Sequence, residues 1–353
     1  MSIKNALSNP YTKWMEGEGP HASIVISSRV RLARNLNGYS FPHLQDEASA
    51  REVMKLAGKA LLSKEVEQDA GKIDFVSLED LSPLDKMILV EKHLISPQLA
   101  EDAGAERGLA LSEDEAVSVM VNEEDHLRLQ VLFPALQLKE AWKLASRVDD
   151  LLESKLDYAF DEKYGYLTCC PTNVGTGLRA SVMMHLPAIA MTSQVNKFFM
   201  SLSKLGFVVR GLYGEGSQAK GGLFQISNQI TLGLSEEEII GNLTSVSCQI
   251  IEQEQLARDE MRKDGLAQLE DLVFRSYGIL TNAYIISSEE AAEHLSNVRL
   301  GLHMGLLRDV EFKKLNELLV EIRPAFLQKL AGKEIDAFNR DFKRAELIRK
   351  TLS

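Results

Sequence analysis

The stretch Ser23-Ile24-Val25-Ile26-Ser27-Ser28-Arg29-Val30-Arg31-Leu32-Ala33-Arg34-Asn35-Leu36 reads as a β-strand that carries arginines. It opens with strand-like alternation, and a period of two puts Arg29 and Arg31 on one face. Two parallel arginines suit a polyphosphate better than two lysines, because the planar guanidinium fork binds oxygens in pairs. Taken alone, a strand with a basic solvent face gives the same pattern.

The chain on either side fits this start. Glu47 to Leu62 reads as an amphipathic helix, and Val117, Val119 and Val121 alternate as a half-buried strand does. A second alternation begins at His126, with Leu127, Leu129 and Val131 on one face. Ala141 to Phe160 looks helical; Tyr166 to Cys170, Phe207 to Leu212 and Phe224 to Leu232 look like short strands. Strands joined by short breaks, with helices between them, favour an α+β fold with an antiparallel or mixed sheet and helices packed on it. From Ser235 onward the pattern is helical. Ser235 with Glu238, and Ser287 with Glu290, have capping-box spacing. Leu315, Leu318, Leu319 and Ile322 share one helical face. The charged stretch Gln253 to Asp271 reads either as a linker or as the solvated side of a long helix. The division that follows is 1–257, with a core at 20–254, and a C-terminal helical domain over 258–353.

Composition narrows the function classes. A chain of 353 residues exceeds one compact core, so two domains are expected. No run approaches the ~20 apolar residues of a membrane span, and MSIKNALSNPYTKW lacks the apolar core of a signal peptide. Cys169, Cys170 and Cys248 form neither a CxxC pair nor a disulfide framework, so a reducing cytoplasm is expected. The net charge of -11 is the wrong sign for nonspecific nucleic-acid binding. On so acidic a chain, arginines gathered in short segments point to a small anionic ligand.

Three further segments carry chemistry. Asn122-Glu123-Glu124-Asp125-His126-Leu127-Arg128 sets three acids beside an arginine at a strand end. If it stays extended from Glu124, then Glu124, His126 and Arg128 share the face opposite Leu127 and Leu129. A carboxylate there holds a guanidinium in a fork, and Arg128 reaches a phosphate; a solvated acidic turn is the plain alternative. Cys170-Pro171-Thr172-Asn173-Val174-Gly175-Thr176-Gly177-Leu178-Arg179 is a small-residue loop of the kind that brings N–H groups to anions. It is neither a Walker loop nor a dinucleotide fingerprint, and a structural turn reads the same. Arg210-Gly211-Leu212-Tyr213-Gly214-Glu215-Gly216-Ser217, followed by Gly221-Gly222, fits a loop closing over a substrate, or a glycine-rich hairpin loop.

Together the order SSRVR, NEEDHLR, CPTNVGTGLR, RGLYGEGS and ISN resembles the phosphagen (ATP:guanidino) kinases over about residues 20 to 250. The resemblance implies an antiparallel sheet flanked by helices, with Mg2+ carried by ATP rather than bound by the protein directly. It implies that Arg29, Arg31, Arg128, Arg179 and Arg210 surround the ATP phosphates. The wider nucleotide-binding runs it implies are Ser27, Ser28 and Val30 beside those arginines, then Ala180, Ser181, Val182 and Met183, then Gly211, Leu212, Tyr213, Gly214 and Glu215. Glu124 and Glu215 are implied to grip the guanidinium, with Asp125 beside them and Cys170 next to the reacting nitrogen. No covalent phosphoenzyme is implied.

The sequence also departs from the small-molecule kinases. Those carry about a hundred residues of helical domain before the SSRVR strand, against about 22 here, which suggests an open site and a larger substrate. Met183 stands where relatives commonly have a histidine near the adenine, and His93 is a candidate nucleotide contact or a structural residue. The tail Asn339-Arg340-Asp341-Phe342-Lys343-Arg344-Ala345 resembles the bacterial protein-arginine kinases of the McsB type. That likeness implies a phosphoarginine-binding allosteric pocket at Arg340, Asp341, Arg344 and Ala345. It also implies protein substrates including a heat-shock repressor, a stress-response role through a Clp protease, a zinc-binding activator protein and a homodimer. Arg340 and Arg344 are helical i, i+4 neighbours, so both can reach one phosphate.

Overall fold

The computed structural model describes residues 2–101, 106–192, 195–211, 221–308 and 310–352. Ten strands are described: β1 (Val25–Arg34), β2 (Ile73–Ser77), β3 (Gly108–Ser112), β4 (Val117–Val121), β5 (Leu127–Pro134), β6 (Phe160–Asp161), β7 (Gly165–Tyr166), β8 (Leu178–His185), β9 (Phe207–Gly211) and β10 (Leu223–Asn228). Eight build one sheet in the order β2-β3-β4-β5-β1-β8-β10-β9, and every pairing in it is antiparallel. Helices flank this sheet and a helical region follows it, so the fold is α+β.

The alternation in the strands divides the sheet into two faces. Val30, Leu32, Leu129, Val131, Leu178, Ala180, Val182 and Ile226 point one way and join the main core. The helices Glu47–Leu61, Leu138–Glu153 and Glu236–Asp264 cover that face with buried residues such as Val53, Val148 and Leu243. The opposite face is covered at its margin by a second core. There Ile3, Trp14, Leu89, Met120 and Leu132 pack with Val320, Ala325 and Phe326 from the C-terminal region. This second layer buries all five residues of β4, which therefore is not the half-buried strand its alternation suggests. Where the layer is open, β1, β5 and β8 present arginines.

Beyond the sheet the chain is helical. The Ser235 cap is reciprocal: the Glu238 N–H donates to Ser235 Oγ at 3.2 Å, and the Ser235 N–H donates to Glu238 Oε2 at 2.8 Å. At the next capped helix the Glu290 N–H donates to Ser287 Oγ at 3.2 Å. Leu315, Leu318 and Ile322 are buried in a third core with Ala345 and Ile348. Among the described residues no helix is long and apolar enough to cross a membrane.

Four local expectations change. The helix expected over Ala141 to Phe160 runs Leu138–Glu153, and Phe160 belongs to a two-residue hairpin strand. The strand expected over Tyr166 to Cys170 is only Gly165–Tyr166; its later residues are spent on side-chain contacts of the acidic turn. The strand from Phe224 ends at Asn228, whose amide replaces a strand partner by accepting from the Ala180 N–H at 2.8 Å and donating to the Leu178 carbonyl at 3.1 Å. In the charged stretch 253–271 the helix continues to Asp264, breaks at Gly265 and resumes over Leu266–Asn282. It stays helical because Glu254 and Arg258 on its inner side are buried and paired at 2.7 Å.

Candidate active site

Register sets the site. On the open face Arg31 lies between Gln130 of β5 and Arg179 of β8, and Arg29 lies between Leu132 and Ser181. Arg128 pairs across to Ala33 on one side and Met120 on the other. One sheet face therefore gathers Arg29, Arg31, Arg128 and Arg179. Arg210, on the edge strand β9, is exposed, and its charge reaches Arg179.

Arg128 is paired with Glu123, while Arg29, Arg31 and Arg179 are short of counter-charge. Arg29 has hydrogen-bond partners, Ser181 Oγ at 3.3 Å and Gln225 Oε1 at 3.1 Å. The Nε–H groups of Arg31 and Arg179 are buried without a partner. Burial, then the Arg128 charge, pushes Arg29 down to about 10. Arg31 is pushed well down by burial and by the charges of Arg29, Arg128 and Arg179. Burial and Arg210 lower Arg179. Like charges at close quarters in a poorly solvated cleft are costly. An anion with several oxygens removes that cost and satisfies the orphaned donors.

The acidic segment is a tight turn rather than an extended strand. Asn122 takes φ 56°, the Asn122 N–H donates to the His126 carbonyl at 2.9 Å, and β5 begins only at Leu127. His126 is consequently buried as a brace: its Nδ1 accepts from the Leu36 N–H, and its Nε2 faces the Ser40 carbonyl at 3.0 Å. Glu123 receives Arg128 Nη1 on both oxygens at 2.7 Å and also accepts from the Ser96 hydroxyl. Asp125 accepts from Asn35 Nδ2 at 2.6 Å and from the Cys169 N–H at 2.7 Å. Glu124 is half-buried, and burial followed by the charges of Asp125 and Glu123 raises its pKa.

A cavity of about 70 Å³ brings Glu124 and Asp125 together with Arg31, Arg128, Arg179, Asn173 and Gly177. A larger one, about 420 Å³, shares Arg31 and Arg128 and continues past Arg29, Gln130 and His93. His93 sits at φ 62° with its ring 5.7 Å from that of Trp14. Burial and the nearby Arg29 and Arg323 charges push it down to about 3, so it is neutral at pH 7.

The loop 170–177 is held by its own contacts. Thr231 Oγ1 donates to the Thr172 and Val174 carbonyls at 2.9 and 2.8 Å. Gly177, at φ +64°, leaves no room for a side chain, since a Cβ there lies 2.6 Å from the Ala33 carbonyl oxygen. The Asn173, Gly175 and Thr176 N–H groups donate to the Cys170, Tyr166 and Thr231 carbonyls, so these loop donors are committed to the fold. Cys170 Sγ lies 3.0 Å from Thr172 Oγ1, and Cys169 Sγ lies 3.1 Å from His43 Nδ1. Burial and the Asp125 and Glu124 charges raise the Cys169 thiol.

Comparison with known proteins agrees with this geometry. Residues 52–257 match the ATP:guanido phosphotransferase C-terminal catalytic domain, and residues 266–353 match the protein-arginine kinase McsB C-terminal domain. A protein-arginine kinase from Pelotomaculum thermopropionicum is 53% identical over 350 residues, covering 99% of this chain and 98% of the relative. One from Halothermothrix orenii is 53% identical over 353 residues, with complete coverage of both. The chain belongs to the protein-arginine kinase family. Among solved structures, lombricine kinase superposes with TM-score 0.58 at 23% identity, covering 72% of this chain and 75% of that one. The duplicated taurocyamine kinase of Schistosoma mansoni gives 0.60 at 23%, covering 80% of this chain and 44% of that one. At such identity these two show the fold alone.

In this member of the protein-arginine kinase family, Arg29, Arg31, Arg128 and Arg179 converge, with Glu124 and Asp125 among them. Leu212, Tyr213, Gly214 and Glu215 lie outside the described residues; Gly211 ends β9. Val30, Ala180 and Val182 turn their side chains into the core on the far face. Ser181 faces the arginines, while Ser28 is tied down by donating to the Ala135 carbonyl at 2.8 Å. Ser27 is buried, and Met183 packs against the second core. In the tail, Arg344 is buried, donating to the Ile322 and Ile286 carbonyls at 2.8 and 2.9 Å and pairing with Asp341. Arg340 donates to the Ile335 carbonyl, and Ala345 is buried in the third core. The sequence reading passed over Asn35, Ser96, Gln130 and Gln225. Each is a lone polar residue that gains meaning only through register or a turn. It also passed over the inward aim of Arg34, which pairs with buried Asp149 at 2.6 Å.

Proposed function

We propose that this protein transfers the γ-phosphoryl group of magnesium-bound ATP to the guanidinium of arginine side chains in other proteins. The observation that carries this reading is the cavity in which one half-buried carboxylate, Glu124, sits with Arg31, Arg128 and Arg179. The arginines neutralise the triphosphate, with magnesium arriving as part of the nucleotide. Glu124 fixes the plane of the substrate guanidinium and accepts its departing proton. A nitrogen–phosphorus bond forms as the bond from the γ-phosphorus to the bridging oxygen breaks, and ADP leaves with that electron pair. Positioning and charge neutralisation supply most of the acceleration in such transfers. Glu215 is the second grip in this reading, and Cys170 flanks the reacting nitrogen.

Residues 1–257 are the catalytic part in this reading, and 258–353 a regulatory part whose Arg340, Asp341, Arg344 and Ala345 form an allosteric phosphoarginine site. The family likeness supports a cytoplasmic stress-response kinase acting as a homodimer with a zinc-binding activator. Its product marks proteins, a heat-shock repressor among them, for a Clp-type protease. The test offers ATP with either an unfolded model protein or free arginine, then reads acid-labile phosphate on arginine by mass spectrometry. Phosphoarginine forms on the protein; label appearing only on free arginine sinks the protein-kinase reading.

A further inference from the structure

Just past the end of β1, one side chain ties together two segments that meet at the Glu124 cavity. Asn35 follows Arg34, the last residue of β1, and is 1% exposed. Its Nδ2 donates to Asp125 Oδ1 at 2.6 Å and to the Leu167 carbonyl at 3.0 Å. Its Oδ1 accepts from the His126 N–H at 2.9 Å. The His126 N–H can only donate and the Leu167 carbonyl can only accept, so the amide has one orientation. Both N–H donors and the oxygen are therefore in use, inside the protein where a lost hydrogen bond is costly.

These contacts surround Glu124 without touching it. Asp125 and His126 follow Glu124 directly, so the amide fixes the turn just behind it. Just ahead of it, Glu123 is held by Arg128 and Ser96. Leu167 begins the run to Cys169 and Cys170, and the Cys169 N–H shares Asp125 Oδ1 at 2.7 Å. The Asn35 backbone is held as well. Its carbonyl accepts from the Ala159 N–H at 2.8 Å, and the next N–H, that of Leu36, donates to His126 Nδ1 at 3.0 Å. Arg31, which lines the cavity with Glu124, lies upstream on the same strand. One strand end thus sets the acidic turn against both the Cys170 loop and a cavity arginine.

A glutamate that orients a guanidinium and takes its proton works only in a narrow range of positions. A displacement of about 1 Å costs on the order of 10²-fold in rate. A group so demanding needs neighbours that lock the backbone beneath it.

We propose that Asn35 is a positioning residue for the phosphoryl transfer: its carboxamide locks the turn behind Glu124 to the segment before Cys170, and so sets where Glu124 meets the substrate guanidinium. The proposal rests on reading Glu124 as the group that grips and deprotonates that guanidinium. Asn35 acts through the turn and touches neither substrate nor nucleotide.

The experiment compares the full-length wild type with Asn35→Asp, Asn35→Ser, Glu124→Gln and the double variant Asn35→Asp/Glu124→Gln. Phosphoarginine formation on an unfolded model protein gives kcat and KM, calorimetry gives Kd for ADP, and scanning calorimetry gives Tm. Asn35→Asp keeps the shape and the acceptor for the His126 N–H, but sets a second carboxyl against Asp125. The expected result at neutral pH is about a 10²-fold loss of kcat with Kd for ADP within about threefold. While the added carboxyl carries a proton it can still donate to Asp125; once the pair loses that proton, the two repel. The ratio of variant to wild-type kcat therefore falls as pH rises, which a general loss of packing does not produce. In the Glu124→Gln background the same change costs little more, because the two residues act as a unit. Wild-type kcat in Asn35→Asp across the pH range overturns the proposal. So does a full further loss of kcat in the double variant, which would place the action of Asn35 elsewhere. Wild-type kcat in Glu124→Gln removes the reading of Glu124, and the proposal with it. Should Asn35→Asp fail to fold, Asn35→Ser decides: its hydroxyl is too short to span both segments and adds no charge, and wild-type kcat there also overturns the proposal.

Discussion

Glu123, Glu124 and Asp125 are chemically near-identical neighbours, and the turn at Asn122 gives each a different role. Glu123 is spent on Arg128 and Ser96, and Asp125 on Asn35 and the Cys169 amide. Glu124 keeps its carboxylate in the cavity with Arg31 and Arg179. Burial and its acidic neighbours raise its pKa above the ordinary ~4.3 of a glutamate. A base acts only when deprotonated, so the rate is full above that raised pKa and falls as pH drops through it. The acid limb of the kcat/KM profile is therefore expected above the usual carboxylate range. Glu124→Gln removes the group that titrates, costs about 10²- to 10⁴-fold in kcat and leaves ADP affinity nearly unchanged. An acid limb that persists unaltered in Glu124→Gln would assign the titration to another group.

The element that most constrains the site is the loop joining the two-residue strand β7 to β8. Gly175 has φ +110°, and a Cβ on it falls on the Thr231 carbonyl oxygen and 2.9 Å from Leu232 Cα. At Gly177 the obstacle is the Ala33 carbonyl at the end of the arginine-bearing β1. Gly177→Ala therefore combines left-handed backbone strain with a steric push on β1, a cost on the order of 3 kcal/mol. Urea unfolding is expected to show that loss of stability, and activity should fall with it because Arg31 and Arg179 flank the displaced segment. A variant as stable and active as wild type would mean that the loop has slack the contacts do not suggest. The strands around this loop were legible because a two-residue period survives in SSRVR and in VSVMV whatever covers them. Tyr166 to Cys170 misled for the opposite reason: its apolar letters suit a strand, but Asn35 and Asp125 capture its polar backbone. The acids of the turn were legible as a group. Which one faces the cavity was not, since that depends on a positive φ at Asn122 that periodicity does not register.

At the scale of the whole molecule the two parts are interleaved. The second core joins Trp14, Leu89 and Met120 to Val320, Ala325 and Phe326, and Asn316 Nδ2 donates to the Met15 carbonyl at 2.9 Å. A chain ended at Ala257 therefore bares the underside of the sheet, where each large apolar side chain loses about 1.5–3 kcal/mol of burial. It also removes Arg258, the first residue beyond the cut and the ion-pair partner of the fully buried Glu254, which is left with the Ala188 and Ile189 N–H groups alone. Breaking a buried ion pair by removing one partner costs about 3–5 kcal/mol. Together these losses reach the ~5–15 kcal/mol that stabilises a whole domain. The truncated chain is expected to lose its near-ultraviolet circular dichroism and its cooperative unfolding transition. A chain ended at Asp264 keeps Arg258, whose Nη2 also donates to the His185 carbonyl at 3.2 Å, and so keeps the staple between the long helix and the end of β8. It should be the more stable of the two truncations. Equal stability of the two truncations in urea would show that the Glu254–Arg258 pair does not join the parts. A cooperative fold with full near-ultraviolet circular dichroism in the chain ended at Ala257 would show that the sheet needs nothing from the helical region.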